Sequence, residues 1–190
     1  MKLINNITEK LSDDMRLTMQ KNSRVGIAAA CFSVYAYEEL KTQLENLEEL
    51  RFIFTSPTFL QKHPQKTQRE FYIPRLNREK ALHGSEFEIR LRNELVQKSI
   101  SRECAQWIRE KVRFKSNCTD EIMQGFLVAD GENTIAYTPI NGFTRADLGC
   151  ERGNNLFSII ARIDAPESKA YLDLFNQLWN DKQRLCDVTD

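Results

Sequence analysis

The sequence predicts an α/β domain in which a mixed β-sheet is covered by helices on both faces, an α/β/α sandwich. Three observations predict it. The first half alternates short apolar runs with amphipathic stretches of helical period. The second half changes to a period of two, with an Asp-Gly pair between two apolar runs. An amphipathic segment with a helix-start pattern then ends the alternation.

Each element follows from its residues. Positions 24–34 (RVGIAAACFSV) are almost continuously apolar and too short for a typical isolated helix, which is how a strand buried on both faces is written. Over 38–50, Leu40, Leu44 and Leu47 recur at helical spacing among Glu, Lys and Gln, predicting an amphipathic helix. Positions 51–56 (RFIFTS) read as a second buried strand, so strand, helix and strand make a parallel crossover of the right-handed kind. The periodicity dissolves from Pro57 into Pro, Lys, Gln, Arg and scattered aromatics, and 57–84 is expected as an excursion within one domain spanning 1–190.

Ser85 with Glu88 three residues on forms a capping box, and Leu91, Leu95, Ile100, Cys104, Trp107 and Ile108 keep a helical rhythm after it. Val112 and Phe114 then alternate with Arg113 and Lys115, the pattern of a half-buried strand. Positions 123–130 (MQGFLVAD) and 134–139 (TIAYTP) give two more strands, and Asp130-Gly131 favours a tight hairpin between them. Positions 156–163 (LFSIIARI) read as another apolar strand. The last helix is expected from Asp164, with Pro166 in its first turn and Tyr171, Leu174, Phe175, Leu178 and Trp179 on its apolar side.

Of the 190 residues, 41% are hydrophobic and 28% charged, with 27 basic against 27 acidic side chains, a globular composition. No apolar run approaches the roughly 20 residues of a membrane helix, and the first ten residues lack a signal-peptide pattern. A cytoplasmic protein without a membrane partner is expected. The five cysteines, Cys31, Cys104, Cys118, Cys150 and Cys186, are scattered without a C-x-x-C pair and read as reduced thiols. His63 and His83 lack neighbours at metal-ligand spacing, so no metal site is expected.

Zero net charge conceals an asymmetry. Between Gln61 and Lys115 there are 14 Lys and Arg against 7 Asp and Glu, and the remainder carries 13 against 20. A basic middle third is the footprint of a phosphate-binding surface, or of a solvated segment. One long helix or two abutting ones cover the span after the Ser85 capping box, and on it Lys98, Arg102 and Arg109 fall on the side away from most apolar positions; Lys111, Arg113 and Lys115 follow directly. Arg102, Arg109, Arg113 and Lys115 are the strongest candidates for phosphate contact, with Lys98 and Lys111 behind them.

Familiar catalytic patterns are missing. No glycine precedes a lysine, so the phosphate-cradling G-x-x-x-x-G-K-[ST] loop is absent, and G-x-G-x-x-G and G-x-S-x-G are absent too. Asp13 with Asp14 and Glu48 with Glu49 are sequence neighbours and read as solvent-facing pairs.

The stretch MQGFLVADGENTIAYTPINGFT resembles the signature of the phospholipase D superfamily: His-x-Lys, four residues, Asp, six residues, Gly-Ser-x-x-Asn, on a strand hairpin near the end of an α/β/α domain. In this register Met123 stands at the His position and Gly125 at the Lys position. Asp130 matches the Asp, Tyr137 replaces the Gly, Thr138 takes the Ser position and Asn141 matches the Asn. In that family the His attacks phosphorus while Lys and Asn hold phosphoryl oxygens. A thioether at Met123 cannot act as nucleophile, and Gly125 supplies no cation, so the resemblance implies a vestigial site. Asp130, Thr138 and Asn141 also suit plain turn chemistry. The alternative it leaves open is a homodimeric phosphodiesterase or restriction-type nuclease; His83, before a helix and far from the hairpin in sequence, is a poor substitute nucleophile.

A second resemblance is carried by GSEFEIRLRNELVQKSISRECAQWIREKVRFKSN with the hairpin and FTRADLGCERGNN. It is similar to the N-terminal region of bacterial Swi/Snf-type superfamily-two helicases, which place a phospholipase D-like domain ahead of their ATPase lobes. The resemblance implies an N-terminal portion of an ATP-dependent helicase or translocase, a hydrolase as a whole. This portion needs no cofactor; ATP and magnesium would belong to the lobes. Its implied partners are DNA, bound weakly and without sequence preference, the helicase lobes of the same polypeptide, or a second copy.

Overall fold

The computed structural model describes residues 1–56, 94–119, 121–153, 155 and 157–189. In chain order the described elements are β1 (Lys2–Ile4), α1 (Leu11–Thr18), β2 (Arg24–Ala29), α2 (Val34–Glu39), α3 (Lys41–Glu45) and β3 (Glu49–Phe54). They continue with α4 (Glu94–Lys111), β4 (Val112–Asn117), β5 (Phe126–Asp130), β6 (Ile135–Thr138), β7 (Ile160–Ile163), α5 (Ser168–Asn180) and β8 (Leu185–Asp187). The strands form one mixed sheet in the order β1-β7-β6-β5-β2-β3-β4-β8. β3 pairs in parallel with β2 and β4, and every other pairing is antiparallel.

Side-chain alternation divides the core between the two faces of this sheet. On the first face Val25, Ile27 and Ala29 of β2, Leu50, Phe52 and Phe54 of β3, and Leu127 and Ala129 of β5 pack with Leu11 and Met15 of α1, Ala36 and Tyr37 of α2, Leu44 of α3, and Cys104 and Trp107 of α4. The rings of Phe32 and Phe52 meet edge to face at 5.7 Å, Tyr37 lies 5.0 Å from Trp107, and the Trp107 indole N–H donates to the Leu44 carbonyl at 3.0 Å. On the second face Ala28, Ile53, Phe126 and Val128 meet α5 through Phe175, with Tyr171, Leu178 and Trp179 beside it. Gly26 explains how that helix comes so close: a Cβ there would lie 2.7 Å from the Phe175 ring, so the missing side chain is the space the ring fills.

The mixed sheet with helices on both faces matches the predicted class, while several boundaries move. β2 ends at Ala29 because the Ala30 N–H leaves the sheet to reach the Asn141 carbonyl, and the Ser33 hydroxyl then caps α2 by accepting from the Tyr35 N–H at 3.2 Å. The helix expected over 38–50 is two short helices, α2 and α3, that meet at Leu40, whose φ of −116° and ψ of 16° lie outside the helical range; Leu40, Leu44 and Leu47 stay buried all the same. Two further residues lead β3, since Glu49 pairs with Arg24. The hairpin strands are trimmed to β5 and β6, which pair antiparallel with Leu127 opposite Tyr137, and α5 starts at Ser168 instead of Asp164. The excursion at 57–84, the Ser85 capping box, and His63 and His83 lie outside the described residues.

Three elements were not predicted. β1 and β8 have three residues each, too few for a period to register, and α1 shows only Leu11 and Met15 as an apolar pair. Another correction concerns the thiols. Cys118 and Cys186 are joined in a disulfide, because the antiparallel pairing of Ser116 with Cys186 brings together two cysteines that are 68 residues apart. Cys31, Cys104 and Cys150 are free thiols, and burial pushes the Cys104 thiol up to about 12.

Asp14, expected from the sequence to face solvent, is instead buried and centres an ionic cluster that anchors the N-terminus. The Asp14 carboxylate accepts from the Tyr137 hydroxyl at 2.8 Å, Lys2 Nζ at 3.0 Å and the Arg162 guanidinium at 3.2 Å, tying α1 to β1, β6 and β7. Burial is the largest single influence on this carboxyl and opposes ionisation. The hydrogen bonds from Tyr137 and Lys2, with the charge of Arg162, outweigh it and hold Asp14 below the usual carboxylate range.

Candidate functional site

In open α/β sheets, ligands bind where parallel strands end at their carboxyl edge. Here that edge is formed by Ala30 and Cys31 after β2, Thr55 and Ser56 after β3, and Cys118 and Thr119 after β4. Because β5 is antiparallel to β2, the residues that precede β5 and those that follow β6 come to the same edge. Met123, Gly125, Thr138 and Asn141 are therefore together at one end of the sheet. Asp130 is not with them: it closes the far end of β5 opposite Arg24, about 17 Å from Gly125 by strand rise. Its carboxylate accepts from the Thr134 hydroxyl at 3.4 Å, which is hairpin-turn chemistry.

A cavity of about 660 Å³ opens beneath α5 at this edge. Met123 and Thr138 line it together with Phe126, Tyr171, Leu174 and Leu178, and Asn117, Thr119, Glu121 and Arg184 supply a polar rim. Asn141 faces a separate pocket of about 150 Å³, shared with Asp147, Asn155 and Ser158. Asp147 accepts from the Thr144 hydroxyl at 2.6 Å; burial raises its carboxyl above the ordinary value, and the bonds from Thr144 and Gly142 only partly offset this. The motif positions thus share an edge but divide between two hollows.

Gly125 is walled in by backbone. A Cβ built on it would lie 1.8 Å from the Ile140 carbonyl oxygen and 2.8 Å from that of Ala28, and its own carbonyl accepts from the Ile140 N–H at 2.9 Å. No side chain fits at this position without moving the loop that follows β6. Asn117, which sequence reasoning missed, organises the edge: its amide donates to the carbonyls of Thr55 at 3.0 Å and Glu121 at 2.9 Å, while its oxygen accepts from the Thr119 N–H at 2.9 Å and hydroxyl at 2.8 Å. The signal available in the sequence was Asn-Cys-Thr after an alternating strand, an Asx-turn pattern.

The basic residues do not gather on one surface. Arg102 and Arg109 are exposed on α4, seven residues and so about 10.5 Å apart along one side of the helix, and neither has an ion pair or side-chain hydrogen bond among the described residues. Lys98 lies one turn earlier, its side chain outside the described part of the structure. Lys111 turns inward and donates to the carbonyls of Glu45 at 2.6 Å and Leu47 at 2.8 Å, closing the end of α3. Arg113 and Lys115 alternate with Val112 and Phe114 and so point to the opposite face from α4. Arg113 is exposed and bonds the Val112 carbonyl at 3.1 Å. Lys115 donates to the Trp179 carbonyl at 2.7 Å and sits 4.9 Å over the Trp179 ring, capping α5.

Among the described residues no group of three or more His, Cys, Asp and Glu side chains could hold a metal ion, and no helix is long and apolar enough to cross a membrane. Comparison of the chain with protein families and with curated proteins gives no match.

Proposed function

We propose that the chain is a non-catalytic phospholipase D-like domain that docks on a nucleic-acid backbone, within an ATP-dependent DNA helicase or translocase whose ATPase lobes it accompanies. The observation that carries the non-catalytic reading is the enclosure of Gly125. Where the superfamily signature needs a cationic clamp, the Ile140 and Ala28 carbonyls occupy the space that even a Cβ would require. Met123 at the nucleophile position lines an apolar-walled cavity and offers no lone pair suited to attack on phosphorus.

The docking reading rests on Arg102 and Arg109, two exposed guanidinium groups on one side of α4, with Lys98 on the same helix; Arg113, exposed on the opposite face, stands outside that surface. Lys111 and Lys115 are committed to carbonyls and contribute charge more than direct binding. Binding of this kind is electrostatic and indifferent to base sequence.

Fluorescence anisotropy with mixed-sequence duplex DNA across a salt series tests it. Replacing Arg102 and Arg109 by Ser should weaken binding and flatten the log–log salt slope by about 0.9 for each phosphate no longer neutralised. An unchanged slope would remove α4 from the interface, and no binding at low salt would favour docking on the helicase lobes alone. Turnover of bis-p-nitrophenyl phosphate that disappears in Asn141→Ala would overturn the non-catalytic reading in favour of a homodimeric phosphodiesterase.

A further inference from the structure

We propose that the Cys118–Cys186 disulfide is a thiol-responsive latch on the wall of the cavity beneath α5. Two segments build that wall: the loop that follows β4, through Thr119 and Glu121, and the turn that joins α5 to β8, through Arg184. The disulfide joins the first segment at Cys118 to the strand that follows the second at Cys186. Besides it, the two are connected by the Cys118 N–H donating to the Arg184 carbonyl at 2.8 Å and by an ion pair between Arg184 and Glu121 at 3.7 Å, with side chains 55% and 74% exposed. An ion pair that exposed holds little. Beside the β4–β8 ladder, whose last pair sets Asn117 opposite Leu185, the disulfide is the covalent tie across the wall among the described residues.

The placement of the two sulfurs makes the link accessible. Cys186 is exposed on β8, the edge strand, and Cys118 is half-buried behind it, so an incoming thiolate meets the Cys186 sulfur first. Attack there forms a mixed disulfide on Cys186 and releases Cys118 as a thiolate, which takes up a proton; a second reductant thiol resolves the mixed disulfide. The net change is one protein disulfide and two reductant thiols converted to two protein thiols and one reductant disulfide, with a cellular dithiol or glutathione as the reductant class. Of the free cysteines, Cys104 is buried, with its thiol held in the protonated form at neutral pH, and Cys150 is raised by burial as well, so neither competes as an attacking group.

Opening is local. Leu185 stays in the second-face core, and β8 keeps its bonds to β4 through Val188 N–H to the Phe114 carbonyl at 3.0 Å and Phe114 N–H to the Thr189 hydroxyl at 3.0 Å. What loosens is the wall, which gives access to the Phe126, Tyr171, Leu174 and Leu178 lining. The latch is independent of phosphate binding by α4.

Thiol counting and hydrogen exchange on the full chain, oxidised and then treated with a phosphine reductant, test the proposal. The denatured oxidised chain should show three reactive thiols and the reduced chain all five. Exchange over 118–124 and 181–187 should accelerate at least tenfold on reduction and in the Cys186→Ser and Cys118→Ala variants, with 126–130 unchanged, and the apolar dye anilinonaphthalene sulfonate should bind the reduced form more strongly. Five thiols after exposure to oxidised glutathione would overturn the latch, as would equal exchange in both states or acceleration throughout the sheet.

Discussion

Gly125→Ala should destabilise the protein well beyond the cost of an ordinary surface substitution. The new methyl group would sit 1.8 Å from the Ile140 carbonyl oxygen and 2.8 Å from that of Ala28, both backbone atoms that no rotamer change can move. Relief requires the segment after β6 to shift away, which breaks the 2.9 Å bond from the Ile140 N–H to the Gly125 carbonyl. Overpacking costs about 1–3 kcal/mol and a broken hydrogen bond about 1 kcal/mol, so the expected loss is about 2–4 kcal/mol. For a chain of this size each kcal/mol lowers the Tm by about 2–4 °C, which makes a shift near 10 °C readable by calorimetry alongside urea unfolding. Gly131→Ala is the control, since its Cβ would meet only side-chain atoms, of Ser23 at 3.3 Å and Gln20 at 3.7 Å, in an exposed turn. A Gly125→Ala variant as stable as the parent would refute the reasoning, and so would phosphodiesterase activity appearing in a Met123→His, Gly125→Lys double variant.

Other expectations are simpler to state. Phe175→Ala empties the space that Gly26 provides and should cost about 3–5 kcal/mol in urea unfolding. Because Asp14 is held below its ordinary value, its contribution to stability should be fully present above the unfolded carboxyl pKa near ~3.9 and lost as pH falls through its folded value. Urea midpoints between pH 2 and 6 should show that loss in the parent and a weaker dependence in Asp14→Asn, which should also be less stable at neutral pH, where its Lys2 and Arg162 partners lose their counter-charge. Lys115→Met should loosen the end of α5 by removing the bond to the Trp179 carbonyl, seen as faster hydrogen exchange over 177–181.

Much of the fold was legible because strong periodicity survives folding. The buried runs at β2 and β3, the alternation at β4 and the Asp-Gly hairpin became neighbouring strands of one sheet. What failed were boundaries set by tertiary hydrogen bonds, such as the diversion of Ala30 to Asn141, and elements too short to show a pattern, such as β1 and β8. At the candidate site the expected adjacency of the two hairpin strands is what brings Met123, Gly125, Thr138 and Asn141 to one edge, but spacing could not reveal that Asp130 faces the opposite end. Nor could helical spacing show that Lys111 and Lys115 reach backbone carbonyls, or that Arg113 changes face where α4 gives way to β4. The Cys118–Cys186 link was invisible for a related reason: a separation of 68 residues carries no information about which strands will be adjacent.

An eight-stranded open sheet has two borders, and each is an invitation for another chain to add a strand. Here both borders are finished with three-residue strands, β1 and β8, too short to template a long ladder. Behind β8 lies β4, six residues long, and on its face away from α4 are Arg113 and Lys115. Charges of one sign on a strand that would become the border repel a second copy laid alongside it. Those two cations should then oppose fibrillar stacking if β8 frays, an expectation that binding assays would never reveal but that faster aggregation of an Arg113→Thr, Lys115→Thr variant would.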